Sequence, residues 1–210
     1  MADEPAKGKT AKGGRATSRR RNRPSPRERL LTAATDLFTT EGIRVIGIDR
    51  ILREADVAKA SLYSLFGSKD KLVIAYLEDL DNKWRESWNK RVATVDTPEE
   101  KILAFFDLCI TEQPGIDFRG SHFQNAASEY PKPETESEQN IREAVANHRM
   151  WLWEQIRELL TQKECNKPSL HANMLMLFLD GGLAGAKMSK DLTPLQTARD
   201  LARDLIYSEH

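Results

Sequence analysis

Residues 47–72 restrict the possible folds of this chain more than any other stretch of its sequence. Apolar side chains repeat at helical spacing from Ile48 to Leu52, which predicts a short helix. Asp56 follows at a position where an acidic residue tolerates the left-handed backbone of a tight turn. The sequence therefore predicts two short helices joined by a turn, with the second helix over residues 58–64.

The second short helix has one apolar side and one polar side. The apolar side, in the helix or flanking it, consists of Val57, Leu62 and Phe66. The polar side carries Lys59, Ser61 and Tyr63. A small helix that presents an ammonium group, a hydroxyl and a phenol is suited to the major groove of DNA.

Capping signals and apolar periodicity predict helices along the rest of the chain, and no segment predicts a strand. Ser25, Pro26 and Glu28 start a support helix with a capping box, and Gly42 ends it. The residues expected to pack beneath this helix are Ile43, Val45 and Ile46. Further helices are predicted at about 68–92, from the cap at Thr97, and at about 121–129, 136–162, 169–187 and 193–207 with Thr193 as a cap. The chain is therefore predicted to be all-α.

The net charge of zero conceals two oppositely charged parts. Residues 1–72 contain 16 Lys and Arg against 9 Asp and Glu, which gives +7, and the remainder carries −7. Such asymmetry suggests a basic end that faces phosphate and an acidic remainder that faces water. Residues 1–24 are too polar to bury a core of their own. They form either a solubilising tail or a basic arm that contacts DNA.

The two short helices and their flanks resemble the TetR family of bacterial transcriptional regulators. The resemblance covers about a quarter of the chain and is carried by Gly42, Ile51, Ala55, Val57, Leu62, Tyr63, Phe66, Lys69 and Leu72. It implies a basic arm at 1–24, a helix-turn-helix DNA-binding domain at 25–72 and an effector-binding and dimerisation domain at 73–210. It also implies a dimeric repressor of double-stranded operator DNA that a small-molecule effector releases.

Three positions depart from the family pattern. Gly47 stands where the family often has a Thr or Ser cap, Asp56 replaces a usual Gly, and Ala60 replaces a common Gly of the recognition helix. Glycine still caps a helix acceptably, so the fold is expected to persist. Ala60 can change which bases are read.

The resemblance and the polar side of the second helix together predict a DNA-contacting surface. A lysine can contact guanine or phosphate, hydroxyls can bond phosphate oxygens, and Ala60 can touch a thymine methyl. By resemblance, Lys69 adds a phosphate contact at the start of the long helix. The predicted DNA-binding residues are Arg27, Arg44, Gly47, Lys59, Ala60, Ser61, Tyr63 and Lys69.

Residues 73–210 contain no set of side chains typical of catalysis or metal binding. The sequence has no nucleophile elbow, no phosphate-binding glycine loop and no HExxH motif. Its histidines lack metal spacing, and Cys109 and Cys165 form no CxxC. No enzyme activity, cofactor or metal is therefore expected, and the compartment expected is the reducing cytoplasm. No apolar run approaches the roughly 18 residues of a membrane span, so no membrane partner is expected.

Two other function classes stay open. A helical enzyme would be distinguished by a turnover assay with the purified protein. A basic-tailed DNA binder without an effector would show salt-sensitive but sequence-indifferent binding.

Aromatic residues from several predicted helices are concentrated after residue 72. Most are expected to form ordinary core, and His148 is expected to be a satisfied core histidine more than a ligand contact. Some of these residues are nevertheless expected to line an apolar effector cavity between helices. The candidate wall residues are Trp84, Trp88, Phe105, Cys109, Phe123, Asn125, His148, Trp151 and Phe178.

The last two predicted helices, 169–187 and 193–207, are expected to pair with the same helices of a second chain. The candidate interface residues are Leu175, Leu177, Gly182, Ala184, Leu195, Ala198, Leu201, Ala202 and Leu205. The Gly181–Gly182 pair is expected to let two helices approach closely rather than to bind phosphate.

Overall fold

The computed structural model describes residues 23–208. Residues 1–22, which form most of the predicted arm at 1–24, lie outside the described residues. Residues 209–210 lie outside them as well. Within this range the structure has nine α-helices, one short 3-10 helix and no strand, which confirms the all-α prediction. The helices are α1 (Pro26–Glu41), α2 (Ile48–Ala55), α3 (Lys59–Phe66), α4 (Lys69–Val92), α5 (Pro98–Glu112), α6 (His122–Glu129), α7 (Glu136–Gln162), α8 (Pro168–Ser189) and α9 (Thr193–Tyr207), and the 3-10 helix is Gln113–Ile116.

Capping side chains set most helix starts as the sequence predicts. At α1 the Ser25 hydroxyl accepts the Glu28 N–H at 3.2 Å, and the Glu28 carboxylate accepts the Ser25 N–H at 2.7 Å. Thr97 and Glu100 form the same capping box at α5. Other caps are Ser68 at α4, Ser121 at α6 and Thr135 at α7. Each cap satisfies N–H donors that a helix leaves unpaired in its first turn.

The turn between α2 and α3 has the predicted conformation. Asp56 adopts a left-handed backbone with φ 51° and ψ 55°. The next helix runs two residues past the predicted end, because it stops only at Gly67, whose φ is 82°. Glycine adopts that conformation without the strain that a Cβ would cause.

Two local predictions are wrong. Val45 is 72% exposed, although Ile43 and Ile46 on either side of it are buried. A tight turn occupies residues 43–45, and Val45 is its last residue. Thr193 is the first residue of α9 and not its cap, because the Asp191 carboxylate accepts the Thr193 N–H at 2.7 Å.

Two hydrophobic clusters divide the described residues. The first joins α1, α2, α3 and the start of α4, and it also includes Phe123, Tyr130 and Ile141 from α6, the residue after it and α7. The second joins the rest of α4 with α5, α7, α8 and α9. Residue 72, the expected domain boundary, lies inside α4. We call α1, α2, α3 and the start of α4 the head. Residues of α6 and α7 therefore complete the hydrophobic core of the head.

Helices α8 and α9 approach closely because two glycines of α8 face α9. A Cβ at Gly182 would lie 2.9 Å from the Ala198 Cβ, and one at Gly185 would lie 2.6 Å from the Pro194 Cβ. Gly181 has open space at that position. The close approach expected of the glycine pair therefore involves Gly182 but not Gly181.

This packing corrects part of the expected dimer surface. Five of its residues are buried within their own chain: Leu175, Gly182, Leu195, Ala198 and Ala202. They face neighbouring helices of the same chain, so they are not available to a second copy. Leu177, Ala184 and Leu201 are exposed, and Leu205 is half-buried.

Candidate nucleic-acid interface and inter-helical cavity

Helix α3 presents a polar side to solvent. Its exposed residues on that side are Lys59, Ala60, Tyr63 and Ser64. Tyr63 is 46% exposed, and Ser61 is half-buried. Leu62 and Phe66 anchor the opposite side in the first cluster. The helix is therefore fixed by its apolar side, and the predicted DNA-reading side chains remain accessible.

The residues around α3 add further accessible groups. Gly47 caps α2 with its backbone only, and a Cβ there would have no neighbour within 4 Å. The Lys59 ammonium makes only a loose contact with Asp49, at 3.8 Å. Val45, which the sequence placed in the core, and Leu65, which the sequence patterns did not single out, are exposed apolar residues of the head. Such side chains suit contact with thymine methyl groups.

Two other predicted DNA-binding residues already contact the protein. The Lys69 ammonium donates to the Ile43 carbonyl at 2.7 Å, and burial lowers the pKa of Lys69. The Arg27 guanidinium lies 5.3 Å from the centre of the Phe66 ring, beside the end of α3. Lys69 thus supports the loop before α2, whereas exposed Arg27 borders α3.

The charge of Asp56 at the turn is compensated by arginines. A hydrogen bond from Arg23 lowers the pKa of the Asp56 carboxyl. Arg29 donates to the carbonyls of Ala55 and Asp56 at 2.8 and 2.7 Å. These contacts hold the turn against α1 and place Arg23 beside the end of α2.

Helix α6 is hydrogen-bonded directly to the loop that enters α2. Glu129, the last residue of α6, accepts the N–H of Ile43 at 3.0 Å with one carboxylate oxygen. Its other oxygen accepts the N–H of Arg44 at 2.6 Å. Hydrogen bonds to a charged acceptor are roughly twice as strong as neutral ones. Glu129 therefore fixes the position of this loop relative to α6.

Two arginines strengthen the same junction. Arg119, just before α6, donates to the Thr39 carbonyl of α1 at 3.0 Å. The Arg44 guanidinium lies 4.5 Å from the Tyr130 ring centre and pairs with Glu138 at 2.7 Å. Arg44, predicted to bind DNA, is thus held against the second part of the chain.

A cavity of about 360 Å³ lies among α4, α5, α6, α7 and α8. Its apolar wall includes Trp84, Phe123, Leu152, Leu179 and Leu183. Its polar wall includes Glu112, His122, Gln124, Arg142, His148, Arg149 and Asp180. Helix α6 therefore lines the cavity with its first turns and holds the head with its last residue.

The predicted wall residues fall into separate groups. Trp84, Cys109, Phe123 and His148 line the cavity. Trp88, Phe105 and Trp151 pack with Trp84 in an aromatic cluster. In this cluster Phe105 stacks with Trp88 at 5.0 Å and with Trp84 at 5.6 Å. Phe178 packs against the second hydrophobic cluster. Asn125 donates to the Arg119 carbonyl at 2.9 Å and accepts from Lys187 at 2.6 Å.

His148 is both hydrogen-bonded and part of the wall. Its Nδ1 lies 2.7 Å from a carboxylate oxygen of Asp81, and its ring stacks on Phe123 at 3.7 Å. Burial raises the pKa of Asp81, but the hydrogen bonds from His148 and Arg85 more than offset this and leave it below its ordinary value. His148 thus links the cavity to α4.

An exposed helix-turn-helix head joined to a helical domain with an internal cavity defines a helical DNA-binding regulator.

No helix within residues 23–208 is both long and apolar enough to cross a membrane. In the same residues no cluster of three or more His, Cys, Asp or Glu side chains is placed to hold a metal ion.

Comparisons with known proteins identify the family. The family described as bacterial regulatory proteins of the tetR family matches residues 30–76. A TetR-family transcriptional regulator from Streptomyces coelicolor is 31% identical, with a TM-score of 0.74 over 86% of this chain and 96% of its own. The transcriptional regulator LmrA of Bacillus subtilis is 25% identical over 86% of this chain and 96% of its own length. QacR of Staphylococcus aureus is 26% identical over 41% of this chain, which is 46% of QacR.

The chain belongs to the TetR family of transcriptional regulators. It is therefore a DNA-binding transcriptional regulator and not an enzyme, as the sequence predicts.

Proposed function

We propose that this protein is a homodimeric repressor that acts in the cytoplasm and that a small-molecule effector releases from operator DNA. The observation that carries the proposal is the double role of α6. His122, Phe123 and Gln124 of this helix line the cavity, and Glu129 at its end holds the loop that enters α2. A ligand that displaces α6 would therefore change the position of the head.

The exposed side of α3 supports operator reading. Lys59, Ser61 and Tyr63 offer donors for base edges and phosphate oxygens, and Ala60 offers a methyl group. Arg27 lies beside the same helix. Contact of the basic arm with DNA stays a prediction, because residues 1–22 lie outside the described residues.

An apolar stripe along α8 supports dimerisation. Its residues follow a spacing of three or four and consist of Leu170, Met174, Leu177, Gly181, Ala184 and Met188. Leu177 is 65% exposed, and Leu201 on the neighbouring α9 is 49% exposed. A second copy would cover this surface and would place two recognition helices about one DNA turn apart.

The switch requires only a modest free-energy difference. A coupling free energy of about 1–3 kcal/mol changes DNA affinity roughly 5–150-fold. The ligand has to favour a position of α6 or α4 in which the two heads no longer match the operator. By reciprocity, operator DNA then weakens ligand binding by the same factor.

Selection from a pool of random DNA duplexes tests the operator function. The purified full-length protein should enrich a palindrome whose half-sites lie about one DNA turn apart. The enriched duplex should outcompete a scrambled duplex of the same length at physiological salt. If no sequence is enriched, the protein binds DNA without sequence preference and the operator function is contradicted.

Glu129→Ala should weaken operator binding about tenfold. The substitution leaves two N–H groups of the loop before α2 without their charged acceptor, which costs about 1.5–3 kcal/mol of loop stability. Glu129→Gln keeps one carbonyl acceptor and should lose less affinity. Titration of each variant with the selected duplex, followed by fluorescence anisotropy, measures the difference.

Glu143→Gln is the matched control, because Glu143 is an exposed carboxylate on α7. It should bind the duplex as the unsubstituted protein does. Equal affinity for Glu129→Ala and the control would show that the α6 contact does not position the head.

A further inference from the structure

The cavity has a neighbour that shares part of its wall. A second cavity of about 310 Å³ lies between α4, α5 and α6. Four residues line both cavities: Trp84, Glu112, His122 and Phe123. Glu112 therefore lies on the wall between the two spaces.

Glu112 is the carboxylate of this site that has no arginine or lysine partner among the described residues, and its side chain is 40% exposed. Its charged neighbour within 4 Å among the described residues is His122, at 3.8 Å, which is a cation only when protonated. The other wall carboxylate, Asp180, already accepts from Arg149 at 2.6 Å and from Gln124 at 2.8 Å.

The basic side chains around the two cavities are committed elsewhere. Arg142 donates to the Ala127 carbonyl in the last turn of α6 at 2.9 Å, where a helix dipole favours a cation. Lys83 of the second cavity pairs with Asp79 at 2.7 Å. Glu112 is therefore the carboxylate of the two cavities that no arginine or lysine of the wall neutralises.

Two other polar groups of the wall can accept hydrogen bonds. His148 directs Nδ1 at the Asp81 carboxylate, so in the tautomer that donates to Asp81 its Nε2 is an acceptor. Gln124 donates one amide N–H to Asp180, and its carbonyl oxygen accepts. A ligand with a donor group therefore finds acceptors here besides Glu112.

The apolar groups next to Glu112 favour a flat ring system. Trp84 and Phe123 line both cavities together with it. Aromatic faces attract a cation as well as a second ring, and they contribute most when water is excluded. A ring and an attached cation would therefore find complementary groups in one place.

From these contacts we infer that the effector is a planar aromatic molecule that carries a protonated amine, with the ammonium group at Glu112. The inference rests on the proposed function, since it names the ligand class of the same cavity. It can fail separately, because ligand binding is measurable without DNA.

Three naphthalene probes of nearly equal size test the inference by calorimetry with the full-length protein. They are 2-(aminomethyl)naphthalene, 2-naphthalenemethanol and 2-naphthoate, which differ mainly in charge. The amine should bind about fivefold more tightly than the alcohol, because an ion pair with a partly exposed carboxylate adds up to about 1 kcal/mol, and the carboxylate should bind most weakly.

Glu112→Gln should remove the preference for the amine and leave the affinity for the alcohol unchanged within about twofold. Glu112→Asp keeps the charge and should retain the preference, which guards against a variant that fails to fold. Glu154→Gln, an exposed carboxylate on α7, serves as the control and should behave as the unsubstituted protein does.

Three outcomes would overturn the inference: tighter binding of 2-naphthoate, an amine preference that survives in Glu112→Gln, or no saturable binding of any probe. Amine binding at Glu112 that leaves operator affinity unchanged would support the ligand class and contradict the switch. Operator selection that succeeds without any amine preference would support the operator function and contradict the ligand class.

Discussion

Lys59→Ala combined with Tyr63→Ala should abolish specific operator binding. Both side chains are exposed on α3, and neither is part of the first hydrophobic cluster. A good contact with a base is worth about 1–3 kcal/mol, and in a dimer each substitution acts at two half-sites. The expected loss is therefore about 4 kcal/mol or more, roughly a 1,000-fold fall in affinity for the selected duplex. Anisotropy titrations at fixed salt measure it.

The double variant should keep its helicity, because Leu62 and Phe66 still anchor α3. Lys90→Ala, at an exposed lysine near the far end of α4, removes a positive charge away from the head and should leave affinity unchanged. Unchanged operator affinity in the double variant would show that α3 is not the recognition helix.

Leu177→Glu combined with Leu201→Glu should convert the protein from dimers to monomers. The two side chains are exposed on α8 and α9, so four carboxylates would be buried at the proposed interface without partners. Burial of unpaired charges costs several kcal/mol. A monomer also loses the second recognition helix, so affinity for the palindrome should fall about 100-fold or more. Sedimentation at micromolar concentration reports the mass.

The choice of these two positions follows from burial within the chain. Leu205 is half-buried against the second cluster, so a charge there would destabilise the monomer itself. Asn89→Glu adds a charge at an exposed position of α4 and should leave a dimer. An unsubstituted protein that sediments as a monomer would refute the dimer, and a double variant that stays dimeric would place the interface elsewhere.

The local structure of the head was predictable because its signals are local. Ser25 with Glu28, and Thr97 with Glu100, are three residues apart, so a capping box can be recognised without knowledge of the fold. Asp56 supplies the left-handed turn with its own backbone. Helical periodicity likewise placed α7 at the residues where the structure has it.

The sequence was less informative about which apolar helix side packs against another helix of the same chain and which stays exposed. Leu175, Leu195 and Leu201 all have helical spacing, but only contacts between helices decide that the first two are buried within the chain. The same holds for Trp84 and Phe105, since the structure places the first at the cavity and the second in the aromatic cluster.

The chain by itself therefore determined the helices, their caps, the turn at Asp56 and the family to which the head belongs. The tertiary structure alone decided which side chains meet across long separations. Glu129 and the loop it holds are about 85 residues apart in sequence. Glu112 and His122 face one cavity from the end of α5 and the start of α6. Periodicity and capping act over one or two helical turns, whereas such contacts depend on the packing of whole helices.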